Sequence, residues 1–511
     1  MTSRVASLLI LAAAAWLGVL LVEFHATAAS TAPSAPLDSQ QLLQDMQTHL
    51  TIAQSDANAL AAQWAATAPS TLPTVTFANY AATTSPSSPW PATSPSNPNG
   101  AWFTATLGPA PDTRQVIRLA SGQAIAALAD NTELVLSGTY NVNATVVLSG
   151  NQQFIHTDPA ATQPAILNWT GPANGTILQC QGAGTILQNL RFQISNPNAS
   201  AAQAILVGDA TNLVIDGCSS GPNGPASFIN AGSLGTGPMG CLIHNCSTSG
   251  IGAYSVFTAG SGIVIDGCTF TNSHAEHLIR GTGANVTIEN CTLANLQSVG
   301  AAASKDAISP QGGDFWSIVN CTVGAGGPIT FGPILTAQAV NPPLVTHAQI
   351  RNCTLSVPIN IGPGCTGVCV HGNAITTSPY AINLNGPVSN FPNLSISNVS
   401  IDSNQIVNNG ANGASIKFFN GWTQSSGIQA TVTNNTYTQT GVQIGPSNYF
   451  SAALIALCPD LSQISFSGNV WGMPAGFDYH LPQATPFHPF CVGGTVGPAN
   501  YVPLPSGDQT K

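Results

Sequence analysis

Ile215-Asp216-Gly217-Cys218 is followed by Ile243-His244-Asn245-Cys246, Ile265-Asp266-Gly267-Cys268, Ile288-Glu289-Asn290-Cys291, Ile318-Val319-Asn320-Cys321 and Ile350-Arg351-Asn352-Cys353. Downstream copies exchange the cysteine for asparagine: Val370-His371-Gly372-Asn373, Ile401-Asp402-Ser403-Asn404, Val432-Thr433-Asn434-Asn435 and Phe466-Ser467-Gly468-Asn469. An upstream copy reads Leu187-Gln188-Asn189-Leu190. Successive copies lie 20 to 34 residues apart. So uneven an interval, with β-branched residues before each copy and Thr or Phe after it, describes a solenoid of strands with loops of varied length. A helical or leucine-rich repeat would hold its period more tightly.

Each position of the motif has a physical reading. The first is apolar and points to a core, and the second is mostly polar and points to solvent. The third and fourth are small or amide residues suited to a tight turn. Coils of such a solenoid stack about 4.8 Å apart, so identical residues form ladders, and no coil buries a core alone. The expected fold is all-β: a single-stranded right-handed parallel β-helix over residues 115–475, with an N-terminal cap and a helix and linker extension before it. Ser121 to Asp130 is read as a short helix capping the first coil, because the open end of a β-helix is an exposed strand edge.

The flanks differ in composition. Residues 1–29 read as a secretory signal peptide: Arg4, an apolar run from Val5 to Val22, and Ala26-Thr27-Ala28 as a cleavage site. That implies a secreted, extracellular or periplasmic protein, with a membrane contact only if the segment stays uncleaved. Residues 30–65 contain one amphipathic helix with Leu42, Met46, Leu50, Ala53, Leu60 and Trp64 on one side. Residues 66–114 are a Pro/Ser/Thr-rich linker or a stretch lying over the domain. The tail, 476–511, is irregular.

Only 5% of the 511 residues are charged, with 9 Lys+Arg against 19 Asp+Glu. The shortage of basic residues argues against a nucleic-acid partner. There are 12 cysteines. The repeat places Cys218, Cys246, Cys268, Cys291, Cys321 and Cys353 in one ladder, as buried packing residues rather than disulfides. Cys458 with Cys491 is a plausible staple for the tail.

In so uncharged a chain a cluster of ionisable residues stands out. His274, Glu276, His277, Arg280, Lys305 and Asp306 fall within about one coil of each other. Glu276 lies 15 residues before Cys291, and Asp306 lies 15 before Cys321. Without a bulge, the two carboxylates stack on adjacent coils, Lys305 lies above Ala275, and His277 lies beside Ala307. Such a pair raises one carboxyl pKa or demands a cation such as Lys305, Arg280 or bound Ca²⁺. The alternative is an outward salt-bridge patch. A second polar column, Asp216, His244, Asp266, Glu289, Arg351, His371 and Asp402, sets His244 between Asp216 and Asp266. It is a ladder's solvent face or a Ca²⁺- or glycan-binding stripe. Trp169, Trp316, Trp422, Tyr437 and Trp471 either stack on sugar rings or pack in loops. Trp316 shares a coil with Lys305 and Asp306.

The repeat resembles the pectin-lyase-like superfamily of right-handed β-helices over residues 115–475, and Glu133 to Tyr140 looks like its opening coil. Glu276 to Arg280 with Lys305 to Gly312 is distantly similar to the chondroitinase-B-like alginate lyases. That resemblance implies Lys305 as base, Arg280 as acid and Ca²⁺ on Glu276 and Asp306; Glu276 and His277 are further candidate catalytic residues, and His274 and Trp316 candidate substrate-binding ones. The family's Arg-His-Gly stretch after the Lys-bearing coil is replaced here by Ser309-Pro310-Gln311-Gly312. The expected function is binding or cleaving polysaccharide, as a lyase-like enzyme on acidic uronate glycans acting as a monomer. Stacked carboxylates would also suit a retaining hydrolase. The alternative is a non-catalytic surface or matrix β-helix that binds glycans or has a structural role.

Overall fold

In the computed structural model the copies of the motif stack directly on one another. Leu187 pairs with Ile215, and the column runs on through Ile243, Ile265, Ile288, Ile318, Ile350, Val370, Ile401 and Val432 to Phe466, all in parallel. The structure describes residues 115–195, 202–208, 210–222, 224–232, 239–272, 277–296, 306–324, 326–332, 344–377, 380–386, 394–409, 416–419, 428–440, 454–457, 464–472, 490–492 and 509–510. The signal peptide, the amphipathic helix, the linker, Trp422 and Cys458 lie outside them.

The described strands form three parallel sheets of 14, 13 and 14 strands. Within each sheet, neighbours are mostly three strands apart in sequence, so each coil contributes one strand to every sheet. Sheet 1 carries the motif and runs from Gln115–Leu119 to Ile464–Ser467. Sheet 2 runs from Val146–Leu148 to Phe490–Val492, and sheet 3 from Thr139–Val142 to Gln509–Thr510. The protein is a right-handed parallel β-helix.

Each motif position does what its chemistry requires. The first-position residues Ile215, Ile243, Ile265, Ile288, Ile318 and Ile350 are fully buried in the core. The third residue, from Asn189 through Gly468, adopts a left-handed backbone, with φ between 49 and 68°. Asn and Gly enter that region at least cost, which is why they fill the column at every position but Ser403. The fourth residue turns back inside. Each ladder cysteine points Sγ at the first-position carbonyl of the coil below, at 3.5 to 3.7 Å. All six are free thiols, as are Cys180, Cys241, Cys365 and Cys369. Burial pushes the Cys218 thiol up to about 12, so it stays protonated and inert.

From Asn373 onward amides replace thiols. Each Nδ2 of Asn373, Asn404 and Asn435 donates to the next amide's Oδ1 at 2.9 Å. It also donates to the first-position carbonyl below, at 2.9 to 3.0 Å. The same Oδ1 atoms accept the backbone N–H of the preceding ladder asparagine, one coil away, at 3.0 Å. The two ladders join where Cys353 N donates to Asn373 Oδ1 at 2.9 Å.

Three expectations are corrected. Ser121 to Asp130 caps the first coil but is not a helix. Its polar groups bond to neighbouring coils instead of to one another: Gly122 N donates to Thr139 O, and Asp130 Oδ1 accepts from Asn151 N. Ile125 and Leu128 pack against the core. The tail is not wholly irregular, because Phe490–Val492 and Gln509–Thr510 extend sheets 2 and 3. Trp169, Tyr437 and Trp471 are core residues, each about 1% exposed, and offer no face to a sugar.

Candidate functional site

Strands His277–Gly281 and Asp306–Pro310 are neighbours in sheet 2, paired His277 with Asp306, Ile279 with Ile308 and Arg280 with Ser309. Leu278, Ile279, Ala307 and Ile308 belong to the core. Two successive core residues break the strand alternation, and His277, Arg280, Asp306 and Ser309 are left on the outer side.

The sequence count set Asp306 over Glu276; the structure sets it over His277. The offset between these strands is 29 residues in sheet 2 but 30 in sheet 1, where Val286 pairs with Trp316. The corner between the two sheets, at Gln311 and Gly312, therefore holds one residue more than the corner below it. An extra residue beside a site re-aims side chains. The stacked pair of carboxylates, and with it the basis for a retaining hydrolase, is replaced by a carboxylate over an imidazole. Glu276, His274 and Lys305 themselves lie outside the described residues.

His277 and Asp306 are 5% and 4% exposed. Their closest approach, Nδ1 to Oδ2, is 3.5 Å, and Nδ1 makes no hydrogen bond. Burial, helped by the positive Arg280, lowers the His277 pKa to about 4, so the ring is neutral at pH 7. Burial raises the Asp306 carboxyl, opposed by the hydroxyls of Thr330 and Ser309 and by Arg280. Thr330 Oγ1 donates to Asp306 Oδ1 at 2.8 Å. The row continues outward over two further coils, with Asn360 Nδ2 on Thr330 Oγ1 at 3.3 Å and Asn383 Nδ2 on Asn360 Oδ1 at 2.9 Å. Gln311, the residue at the lengthened corner, accepts from Arg280 Nε at 2.7 Å and donates to Ser309 Oγ at 3.4 Å. Ser309, Gln311, Thr330, Asn360 and Asn383 were missed in the sequence, because a lone hydroxyl or amide in so polar a chain gives no signal until the register is known.

Trp316, expected to meet substrate, is fully buried, and its Nε1 donates to Gly312 O at 3.0 Å. It faces the core because it is in register with Val286, a core position. Of the expected Ca²⁺ pair, only Asp306 lies among the described residues. Among the described residues no three His, Cys, Asp or Glu side chains converge as metal ligands. One Asp306 oxygen is taken by Thr330 and the other faces His277, so the described donors do not by themselves make a Ca²⁺ site.

In the second polar column His244 lies between Asp216 and Asp266 as expected, whereas Glu289, expected to face solvent, is buried at 3% exposed. His244 Nδ1 lies 2.8 Å from Asp216 Oδ1 and Nε2 lies 4.0 Å from Asp266 Oδ2. His371 meets Asp402 at 2.8 Å, and His156 meets Glu133 at 3.0 Å. With His347 on Asp314 at 2.7 Å, every described histidine faces a carboxylate of a neighbouring coil. His277 differs from the other four in lacking a hydrogen bond to its acid.

The depressed His277 pKa has a stability consequence. Its folded value lies below the unfolded one, so its full contribution is present above about pH 6.5 and is lost as pH falls through about 4. Asp306 acts in the opposite sense: its raised pKa favours the fold at low pH, so it offsets part of the loss at the acid end. The difference between wild type and His277→Gln isolates the histidine. Urea titrations should show wild type losing about 3 kcal/mol relative to that variant between pH 6.5 and 4.

Residues 228–309, which include His277, Arg280, Asp306 and Ser309, match the family described as right handed beta helix region. No curated protein sequence matches the chain. Among solved structures it is similar to the Dettilon tailspike protein, at 16% identity and a TM-score of 0.46, over 66% of this chain and 64% of that one. It is also similar to the catalytic unit of a GH87 alpha-1,3-glucanase from Streptomyces thermodiastaticus, at 13% identity and TM-score 0.41, over 69% and 61%. A mannuronic acid specific polysaccharide family 6 lyase from human gut microbiota aligns at 12% identity and TM-score 0.37, over 68% and 83%. The chain thus spans less than two thirds of the tailspike and glucanase structures. The three parallel sheets, the stacked motif and the matched region together identify the chain as a right-handed parallel β-helix.

Proposed function

We propose that this protein is a secreted β-helix that acts on acidic polysaccharide, as a lyase, on the outer face of sheet 2. The observation that carries the reading is the desolvated His277–Asp306 pair beside Arg280. Polar groups held out of water without full hydrogen bonding cost stability, and they cluster where chemistry needs them. Arg280, fixed through Nε by Gln311, offers a planar fork to a uronate carboxylate. Neutralising that carboxylate acidifies the C5 proton. Neutral His277 then accepts the proton, and the C5–H electron pair becomes the C4–C5 double bond. The C4–O bond breaks, and the departing oxygen takes a proton from water. Lys305, next to Asp306 in the chain, is the base that the family resemblance implies, and Lys305→Ala tests it separately.

The test is incubation with alginate, polygalacturonate and chondroitin, measuring unsaturated-product absorbance and reducing ends together. A lyase gives both in equal amounts. Reducing ends alone would make the protein a hydrolase. Neither signal, with polymer still bound, would make it a glycan-binding β-helix.

A further inference from the structure

A second column of left-handed residues runs along the start of the sheet 1 strands: Asn212, Gly240, Gly262, Asn285, Phe315, His347, Gly367 and Asn398, with φ between 51 and 75°. Six of the eight are Asn or Gly, the residues that tolerate this backbone. Phe315 and His347 are the exceptions. They sit on adjacent coils, Phe315 directly after the lengthened corner, with rings stacked 4.9 Å apart and 16° from parallel. Bulky residues persist in such a conformation only where something outweighs the strain. Core burial does not supply it: neither ring belongs to the core cluster, and His347 and Asp314 side chains are 39% and 36% exposed.

The surroundings are polar and ordered. Asp314 Oδ1 accepts from Thr346 Oγ1 at 2.7 Å and lies 2.7 Å from His347 Nδ1. Its Oδ2 makes no hydrogen bond among the described residues. Thr366 and Ser397 hydroxyls, 2.7 Å apart, continue the row on the next two coils. A part-exposed aromatic pair beside a carboxylate acceptor and hydroxyls matches a pyranose, whose C–H face is apolar and whose rim is hydroxyl. Asp314 is three residues beyond Gln311, which holds Arg280.

We infer that Phe315 and His347, with Asp314, form a sugar-stacking platform that holds a neighbouring ring of the same polysaccharide chain on which the sheet 2 site acts. This rests on the glycan reading above and adds to it a positioning subsite. The deciding variants are Phe315→Gly and Phe315→Asn, which install the column's usual residues. If the ring is kept for binding, both variants melt no lower than wild type, while retention in native gels containing alginate or polygalacturonate weakens about tenfold. Asp314→Asn weakens retention in the same direction. Wild-type protein retained by the polymer with both Phe315 variants retained equally overturns the platform and leaves the sheet 2 reading intact. A melting temperature lowered by several degrees in both variants makes Phe315 a packing residue and overturns it as well. Wild type retained by no polymer overturns both readings.

Discussion

Asn404→Ala is expected to destabilise the C-terminal half of the β-helix by about 4 kcal/mol, enough to remove much of a domain's usual stability margin. Asn404 is 1% exposed, and its amide makes four hydrogen bonds. Oδ1 accepts from Asn373 N and Asn373 Nδ2, and Nδ2 donates to Val370 O and Asn435 Oδ1. Truncation leaves Asn373 N and one Asn373 amide proton buried with no partner, and it takes one donor from Val370 O. Each orphan costs roughly 1–3 kcal/mol. Asn404→Cys should recover part of the loss, since Cys353 directs its thiol to the corresponding carbonyl, Ile318 O. Cys291→Ala should cost only about 1–2 kcal/mol, because it removes a small, weakly bonded side chain. Denaturant unfolding of the three variants gives the ranking, and hydrogen exchange should place the Asn404→Ala loosening on coils carrying Asn373 and Asn435.

Arg280→Ala should lower kcat/KM on the active polyuronate about 10³-fold, and His277→Ala about 10²-fold or more. In the proposed reaction Arg280 supplies the charge that stabilises the developing carbanion. In that reaction His277 is the proton acceptor, and with a pKa lowered to about 4 it would remain competent in mildly acidic solution, so activity should persist down to about pH 5 and fall off below it. Gln311→Ala touches the reaction only through Arg280, so its effect should fall mainly on KM and be smaller than that of Arg280→Ala. Steady-state rates of the four proteins across pH check the set.

The register of sheet 1 was legible from the sequence because an apolar residue, a left-handed turn and a ladder residue are chemically distinct and recur together. Every motif copy from Leu187 to Phe466 pairs as aligned. The ladder cysteines were legible for the same reason. The site was legible only to within one residue. Anchor spacing measures the length of a whole coil, and cannot say on which side of a corner an extra residue lies. Here it lies at Gln311 and Gly312, and it moves Asp306 from Glu276 to His277. The tryptophans misled because composition does not reveal facing. Trp316 is in register with Val286, and that pairing alone decides that it is core. Phe315 and His347 could have been found by asking which residues break the Asn/Gly column, but that column becomes visible only once the backbone is known.

The proposed function rests on the buried His277–Asp306 pair, and on that reading Asp306 holds His277 for the reaction and is not kept buried for the fold. The direct measurement is denaturant unfolding of Asp306→Asn at pH 7.5, with product formation assayed on the same sample. The amide keeps the shape and can still accept from Thr330 while removing a charge held out of water. The predicted result is an unfolding midpoint equal to or above wild type, with the same denaturant slope and product formation reduced at least tenfold. A lower midpoint with full product formation would contradict it, and would make the pair a structural contact of the coil stack.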